Sequence, residues 1–311
     1  MAALIDVILP VFLVIGFGYA VAWKGALSEA AVDGLMIFAQ NFAVPCLLFL
    51  AISRIDLAAD FDMPLLASFY IGAFAGFGLS FAGARYFFGR PLEDSIAIGF
   101  CALFSNSVLL GLPITERAYG AGALAGNYAI VSVHALIIYG FGMTFMELAR
   151  SRNGPRSGNP LLKVARSILS NPLLIAIILG FVANVTAVRL PGVVISALET
   201  LASAALPAAL FGLGGVLLRY RPEGDIKVIG MITVLSLVVH PAVTFALGTT
   251  VFSLDQAALR SAVVTAAMAP GVNTYLFANM YGVAKRVAAS GVLIATALSI
   301  GSVWFWLSIL P

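Results

Sequence analysis

Charge is what this sequence has least of. Asp, Glu, Lys and Arg make up 10% of its 311 residues, well under half the roughly 25% of a soluble globular chain. That scarcity excludes a water-soluble enzyme. Cysteine is almost missing as well: Cys46 and Cys101 both lie inside apolar runs, so neither a disulfide framework nor a CxxC metal or redox site is available. Both read as small core residues. There is no basic block or acidic tail, and a net charge of +3 is too small to point to nucleic acid. The stretch from Met1 to Trp23 lacks the basic start and small-residue cleavage site of a signal peptide, and is expected to stay as a first membrane span.

What is plentiful is apolar sequence, 61% hydrophobic with a mean hydropathy of +1.05. A bilayer crossing takes about 20 such residues, so ten crossings use roughly 200 and leave only short loops. The expected fold is an all-α integral membrane protein. Apolar runs set against charged or Gly/Pro-rich breaks give spans at 4–23, 31–53, 64–86, 94–117 and 122–148, then 167–187, 193–218, 226–252, 257–282 and 287–310. The longest polar stretch runs from Arg150 to Arg166. Residues 1–149 and 167–311 would then be two five-helix repeats joined by a short linker at 150–166, all within one membrane domain.

Ten spans put both termini on one side. The loops after the odd-numbered spans then hold 13 of the 17 Lys and Arg residues, and the terminal side holds Arg54, Arg117, Arg189 and Arg260. By the positive-inside rule the linker is cytoplasmic and both termini lie outside the cytoplasm. The expected location is the cell (cytoplasmic) membrane.

Sliding the chain on itself by 162 residues places Pro10 on Pro172, Gly18 on Gly180 and Pro45 on Pro207. With five spans per half, the second half enters the membrane from the opposite face, an inverted repeat of the kind found in secondary transporters. Such folds hold their substrate at mid-membrane, where interrupted helices meet. Span four carries Ser105-Asn106-Ser107, followed by Gly111-Leu112-Pro113, and span nine carries Pro270-Gly271-Val272-Asn273. Proline removes a backbone donor and glycine tolerates unwinding, so Gly111, Pro113, Pro270 and Gly271 are expected to break the two helices. Unpaired backbone survives at membrane depth only against protein or a water-filled cavity. The alternative is a pair of proline kinks whose polar side chains merely join neighbouring helices.

At these residues the sequence resembles the auxin efflux carrier family, which includes the plant PIN-FORMED transporters. Asn106 with Gly111-Leu112-Pro113 and Tyr119-Gly120 is similar to that family's span-four crossover. Phe42-Ala43-Val44-Pro45 with Leu47-Leu48-Phe49 resembles its span-two motif, Asn171-Pro172 the opening of its sixth span, and Pro270 to Gly282 its ninth-span crossover. The linker is short where plant members carry a long hydrophilic loop, so a bacterial-type carrier is the better match. The resemblance implies a ten-helix fold with spans four and nine crossed, and an elevator-type motion. Spans one, two, six and seven would be the scaffold and the rest would move. It also implies small organic anions as substrates, mono- or dicarboxylates such as indole-acetate or malonate, and places Val44, Leu48 and Tyr139 against the substrate body.

From Ser95 to Thr115, and from Ser261 to Ala284, there is no Asp, Glu, Lys, Arg or His. No side-chain cation from either broken span can neutralise a carboxylate. The donors on offer are half-helix N-termini and the amides of Asn106 and Asn273, with Ser105 and Ser107 as supporting ligands. His134 and His240 fall mid-span, where a titratable residue is a candidate for proton coupling; a buried neutral imidazole is the other reading. Asn41, one turn before Pro45, reads as an interhelical hydrogen bonder. No nucleophile, metal-ligand cluster or carboxylate pair has usable spacing, so no enzyme activity, cofactor or metal is implied. The expected partners are the organic anion and the lipid bilayer, with a homodimer left open. Two further readings remain: a membrane sensor or scaffold that binds a ligand without moving it, and a sodium-coupled symporter of the bile-acid type.

Overall fold

The computed structural model describes residues 3–57, 61–151 and 171–311. Most of the linker, from Arg152 to Arg166, and the first residues of the expected sixth span lie outside the described residues. Among the described residues seven helices are long and apolar enough to cross a membrane: α1 (Ile5–Trp23), α2 (Glu29–Arg54), α3 (Met63–Phe87), α6 (Ala121–Arg150), α8 (Gly192–Leu218), α9 (Ile226–Thr250) and α12 (Lys285–Ile309). A shorter apolar helix, α7, covers Pro172–Thr186. The other four come in two pairs, α4 (Leu92–Leu103) with α5 (Leu112–Tyr119), and α10 (Gln256–Ala266) with α11 (Val272–Tyr281). At 1.5 Å per residue each of these is about 12–18 Å long, roughly half the hydrocarbon thickness of a bilayer or less.

Large apolar side chains face outward along these helices, Leu13, Phe17, Phe87, Val185 and Val193 among them. In water such a surface would drive association; against lipid tails it is neutral. The interior holds the aromatic cluster of α3, α4, α6 and α11, in which Phe100 and Phe277 stack with ring centroids 4.0 Å apart.

The packing sorts the helices into two groups. In the first, α1 lies along the Ala205–Leu218 half of α8, and the Val44–Arg54 half of α2 lies along α7. In the second, α3 packs on α4, α9 and α10, while α11 and α9 pack on α12. Glycine permits the closest approaches. A Cβ on Gly18 would overlap the carbonyl oxygen of Phe211, and one on Gly180 would lie 3.2 Å from that of Phe49 and 3.1 Å from Ile52 Cβ. Small residues of this kind let membrane helices touch backbone to backbone.

Prolines inside the helices do not interrupt them. Pro10, Pro45, Pro113 and Pro241 each stand two residues after a π-helical turn, at Ala3–Ile8, Ala39–Ala43, Ser107–Gly111 and Leu235–Val239. A proline offers no N–H to the carbonyl four residues back and pushes it aside. Widening the preceding turn lets those carbonyls find donors five residues on, so the helix continues.

Polar contacts gather at the two ends of the bundle. At one end Arg54 pairs with Glu199 at 2.8 Å, Arg117 donates to the Asp6 carbonyl at 2.7 Å, and Arg260 donates to the Pro311 carbonyl at 2.6 Å. At the other, Arg219 pairs with Asp33 at 2.7 Å and Arg90 with Asp225 at 3.0 Å. There too Arg150 joins Glu93 at 3.0 Å to the Tyr281 carbonyl at 2.5 Å.

Candidate functional site

Helix α4 stops at Leu103 and the chain runs extended through Phe104, Ser105 and Asn106 before helix resumes at Ser107. Helix α10 stops at Ala266, and helix resumes at Val272. The two gaps lie side by side, antiparallel, centred on Ser105 and Pro270. The Asn106 N–H donates to the Ala269 carbonyl at 2.8 Å, and the Gly271 N–H donates to the Phe104 carbonyl at 3.0 Å. Each gap thereby supplies what the other's backbone lost, which is how non-helical chain persists among apolar helices. Ser105 and Pro270 oppose each other between those two bonds, a position where the missing proline N–H has no partner to forfeit.

This corrects the expected break in the first half. Gly111 and Pro113 lie in the helix that resumes, Gly111 closing the π-helical turn and Pro113 in the first turn of α5. The wide turn absorbs the proline, so the chain opens two turns earlier. In the second half Pro270 and Gly271 do sit in the gap. A Cβ on Gly271 would meet the Phe104 ring at 3.5 Å and Asn106 Cα at 3.6 Å, ordinary contacts, so clearance is not what places glycine there.

A cavity of about 500 Å³ lies against this crossing. Helix α2 contributes Gln40, Asn41, Val44 and Leu48; α6 contributes His134 and Tyr139; Asn171 stands at the start of α7. The crossing itself contributes Ser105, Asn106, Ser107 and Asn273. All seven residues expected to bind substrate therefore line one space, although they come from four separate stretches of chain. Pro270, Gly271, Gly111, Pro113 and His240 do not line it.

Among the described lining residues there is no Asp, Glu, Lys or Arg. Asn106 is 6% exposed, and its Oδ1 accepts the Leu109 N–H at 3.3 Å, capping the resumed helix. Its Nδ2 is buried without a partner. Ser105 and Ser107 share a hydrogen bond between their hydroxyls at 3.0 Å, and the Ser107 hydroxyl also donates to the Ser105 carbonyl at 3.2 Å. Across the gap, Gly271 gives α11 no side-chain cap, and its N-terminus points positive dipole toward the crossing. The Tyr139 ring packs edge-on against Phe104 at 5.5 Å.

The two histidines part company here. Both rings pack on Phe69, with centroids 5.7 Å away for His134 and 5.0 Å for His240. Only His134 reaches the cavity. The His240 Nε2 lies 3.3 Å from the Phe69 carbonyl, to which it can only donate, and the residue is 1% exposed. His240 is a satisfied core residue.

Three polar residues escaped the sequence reading. Gln40 and Asn171 line the cavity; Asn171 was visible only as part of an Asn-Pro motif, and Gln40 carries no motif. Asn127, fully buried in α6, donates to Thr115 Oγ1 at 3.1 Å and Thr265 Oγ1 at 2.8 Å. It ties α5 to α10 beside the crossing, and an intramembrane amide was its one signal. A second, wider cavity of about 770 Å³ lies among α1, α2, α5 and α8, with Arg54, Glu116, Arg117, Pro113 and Glu199 on its walls.

Comparison with known proteins places this geometry among transporters. The family described as "Membrane transport protein" matches residues 3–307. A "Putative malonate transporter" of Rhizobium meliloti (strain 1021) is 26% identical over 308 residues, covering 97% of this chain and 94% of that protein. The "Uncharacterized transporter YfdV" of Escherichia coli (strain K12) is 22% identical over 296 residues, 93% of this chain and 91% of its own length. An "Uncharacterized transporter" of Methanothermobacter thermautotrophicus is 27% identical over 217 residues, 67% of this chain and 66% of that one.

Proposed function

This chain belongs to the membrane transport protein family, that of the auxin efflux carriers, and we propose that it is a secondary carrier of small organic anions working by elevator-type alternating access. It is a transporter rather than an enzyme. The observation that carries the proposal is the crossing of two interrupted helices beside a cavity whose described lining holds no Asp, Glu, Lys or Arg, with a buried, unpartnered Asn106 amide on its wall.

Reading α4 with α5 as span four, α10 with α11 as span nine and α7 as span six yields ten crossings. The polar contacts at the ends support that count. Arg54 with Glu199, Arg117 with Asp6 and Arg260 with Pro311 all join groups that ten spans put on the terminal side. Arg219 with Asp33, Arg90 with Asp225 and Arg150 with Glu93 all join groups on the other. The excess of Lys and Arg on that second side supports a cytoplasmic assignment, with both termini outside.

An inverted repeat is supported by register as well as by topology. Gly18 meets Phe211 while Gly180 meets Phe49, and both members of the second contact are related to the first by 162 positions. The two helix groups match the resemblance too, α1, α2, α7 and α8 as scaffold and the others as the moving unit. The cavity has walls in both groups, as a site carried past a scaffold requires.

Chemistry selects the substrate class. Helix N-termini favour an anion by about 0.3–1 kcal/mol each, and up to about 2 when partly buried, and Asn106 Nδ2 and the Asn273 amide add hydrogen bonds. Removing water from a carboxylate costs several kcal/mol. These terms nearly offset one another, giving modest affinity in a wet site, which suits a carrier that has to let go. The malonate named for one relative brings short dicarboxylates to the head of the list; indole-acetate is the larger alternative. A bile-acid-type sodium symporter is disfavoured because the described lining offers no carboxylate for the cation.

Purified protein in liposomes is expected to take up labelled malonate or indole-acetate, and Asn106→Ala and Asn273→Ala to weaken uptake with expression intact. Unchanged uptake in both variants would remove the site; no uptake of any organic acid by the parent chain, with binding retained, would favour a ligand sensor.

A further inference from the structure

His134 stands apart among the groups that face the cavity. It is the one imidazole on the described lining, and it is 4% exposed. Both ring nitrogens are buried without a hydrogen bond of good geometry, although the Ser105 backbone lies close to the ring. Leaving a buried donor or acceptor unmatched costs about 1–3 kcal/mol. The neighbouring Phe104 ring meets the imidazole edge-on, with centroids 4.8 Å apart, and holds its orientation.

Among the described residues the surroundings supply no other counter-charge. From α3 the ring faces Phe69 and Tyr70, and the Tyr70 hydroxyl already donates to the Ile130 carbonyl at 3.0 Å. From α9 it faces His240, held by the Phe69 carbonyl. The α2, α7 and α11 walls offer Gln40, Asn41, Asn171 and Asn273, and α6 itself offers Tyr139. Amides can hydrogen-bond a carboxylate but cannot cancel its charge.

We propose that His134 is the proton-binding site of this carrier, an imidazole that takes up one proton together with each substrate anion and carries the two across with one negative charge cancelled. The inference rests on the carrier reading above and adds a coupling ion to it. The balance is simple: neutral imidazole gains H⁺ from water in the cavity, imidazolium pairs with the carboxylate, and both leave on the opposite side, restoring the neutral ring. Pairing removes the main obstacle to bringing an anion into a cavity whose described lining holds no other cation, and the anion in turn stabilises the charged ring. His240 packs on the same Phe69 ring as His134, where a second charge would be repelled, which limits the stoichiometry to one proton.

The test uses the whole chain in liposomes with malonate as the probe, the membrane potential clamped at zero, and a pH dye trapped inside. Adding malonate outside should acidify the lumen. A tenfold proton gradient, outside acid, should concentrate malonate by about tenfold, since one coupled proton transmits the full ratio. His134→Gln keeps an amide donor of similar size but cannot titrate. It should exchange labelled for unlabelled malonate more slowly than the parent chain, and what exchange remains should neither acidify the lumen nor accumulate substrate above the outside level. Malonate uptake by the parent chain without lumen acidification overturns the proposal, as does full gradient-driven accumulation by His134→Gln. Should the variant fail to fold, the dye signal of the parent chain decides alone. Absence of all malonate and indole-acetate uptake by the parent chain would instead defeat the carrier reading itself.

Discussion

Gly18 and Phe211 meet backbone to backbone, the glycine of α1 lying on the carbonyl of α8. The same contact recurs between Gly180 of α7 and Phe49 of α2. One geometry at two places, 162 positions apart in the sequence, means that the two helix pairs, α1 with α8 and α2 with α7, are built to the same pattern.

Gly18→Ala should therefore destabilise the protein by about 1–3 kcal/mol, the range for forcing atoms into a packed interior. Gly16→Ala, in the same helix with nothing within 4 Å of its would-be Cβ, should be neutral or slightly stabilising. Thermal melting in one detergent checks both, and equal losses would mean that α1 does not rest on α8 as described.

Asn106 and Asn127 should separate recognition from structure. Asn106→Asp retains the oxygen that caps Leu109 but removes the Nδ2 donor and adds like charge, so anion uptake should fall at least tenfold while the melting temperature stays put. Asn127→Ala leaves Thr115 and Thr265 without their shared donor. It should cost about 1–3 kcal/mol of stability with little change in apparent KM at permissive temperature.

Sidedness is open to a chemical probe. Asn273→Cys, in a chain whose Cys46 carries the C46S substitution, should react with a membrane-impermeant thiol reagent from the cytoplasmic face, and substrate should slow the reaction. Cys101, 1% exposed, should stay unlabelled. Labelling from the outer face alone would reverse the orientation.

Outside the membrane, Asp225 links α9 to the loop before α4. What desolvation it suffers raises its pKa, but the Lys227 amide, the Arg90 guanidinium and the Val228 amide outweigh it and hold the carboxyl below its usual value. A depressed carboxylate pKa contributes stability that is present above the unfolded value near 3.9 and is lost as pH falls through the folded one. Asp225→Asn should thus lower the melting temperature at pH 6 but converge with the parent chain once the pH has fallen through the depressed folded-state pKa.

Asn106, Asn273, Val44, Leu48 and Tyr139, singled out by motif resemblance and by amides placed in spans without charge, line one cavity; that they bind substrate is the proposal. Proline alone misled at Pro113, because the same residue that interrupts a helix in isolation is absorbed here by a π-helical turn. His134 and His240 looked equivalent in the sequence, each a lone imidazole in mid-span, and only the fold puts one of them on the cavity wall.

Composition by itself determined that this chain is a multi-pass membrane protein, because transfer of each segment from water to lipid depends on that segment's own side chains. Only the tertiary structure decided where the chain opens between α4 and α5, which imidazole meets the cavity and which amide is left unpartnered. Those outcomes depend on hydrogen bonds between residues some 165 positions apart, and a carbonyl at Ala269 cannot be read from the sequence around Asn106.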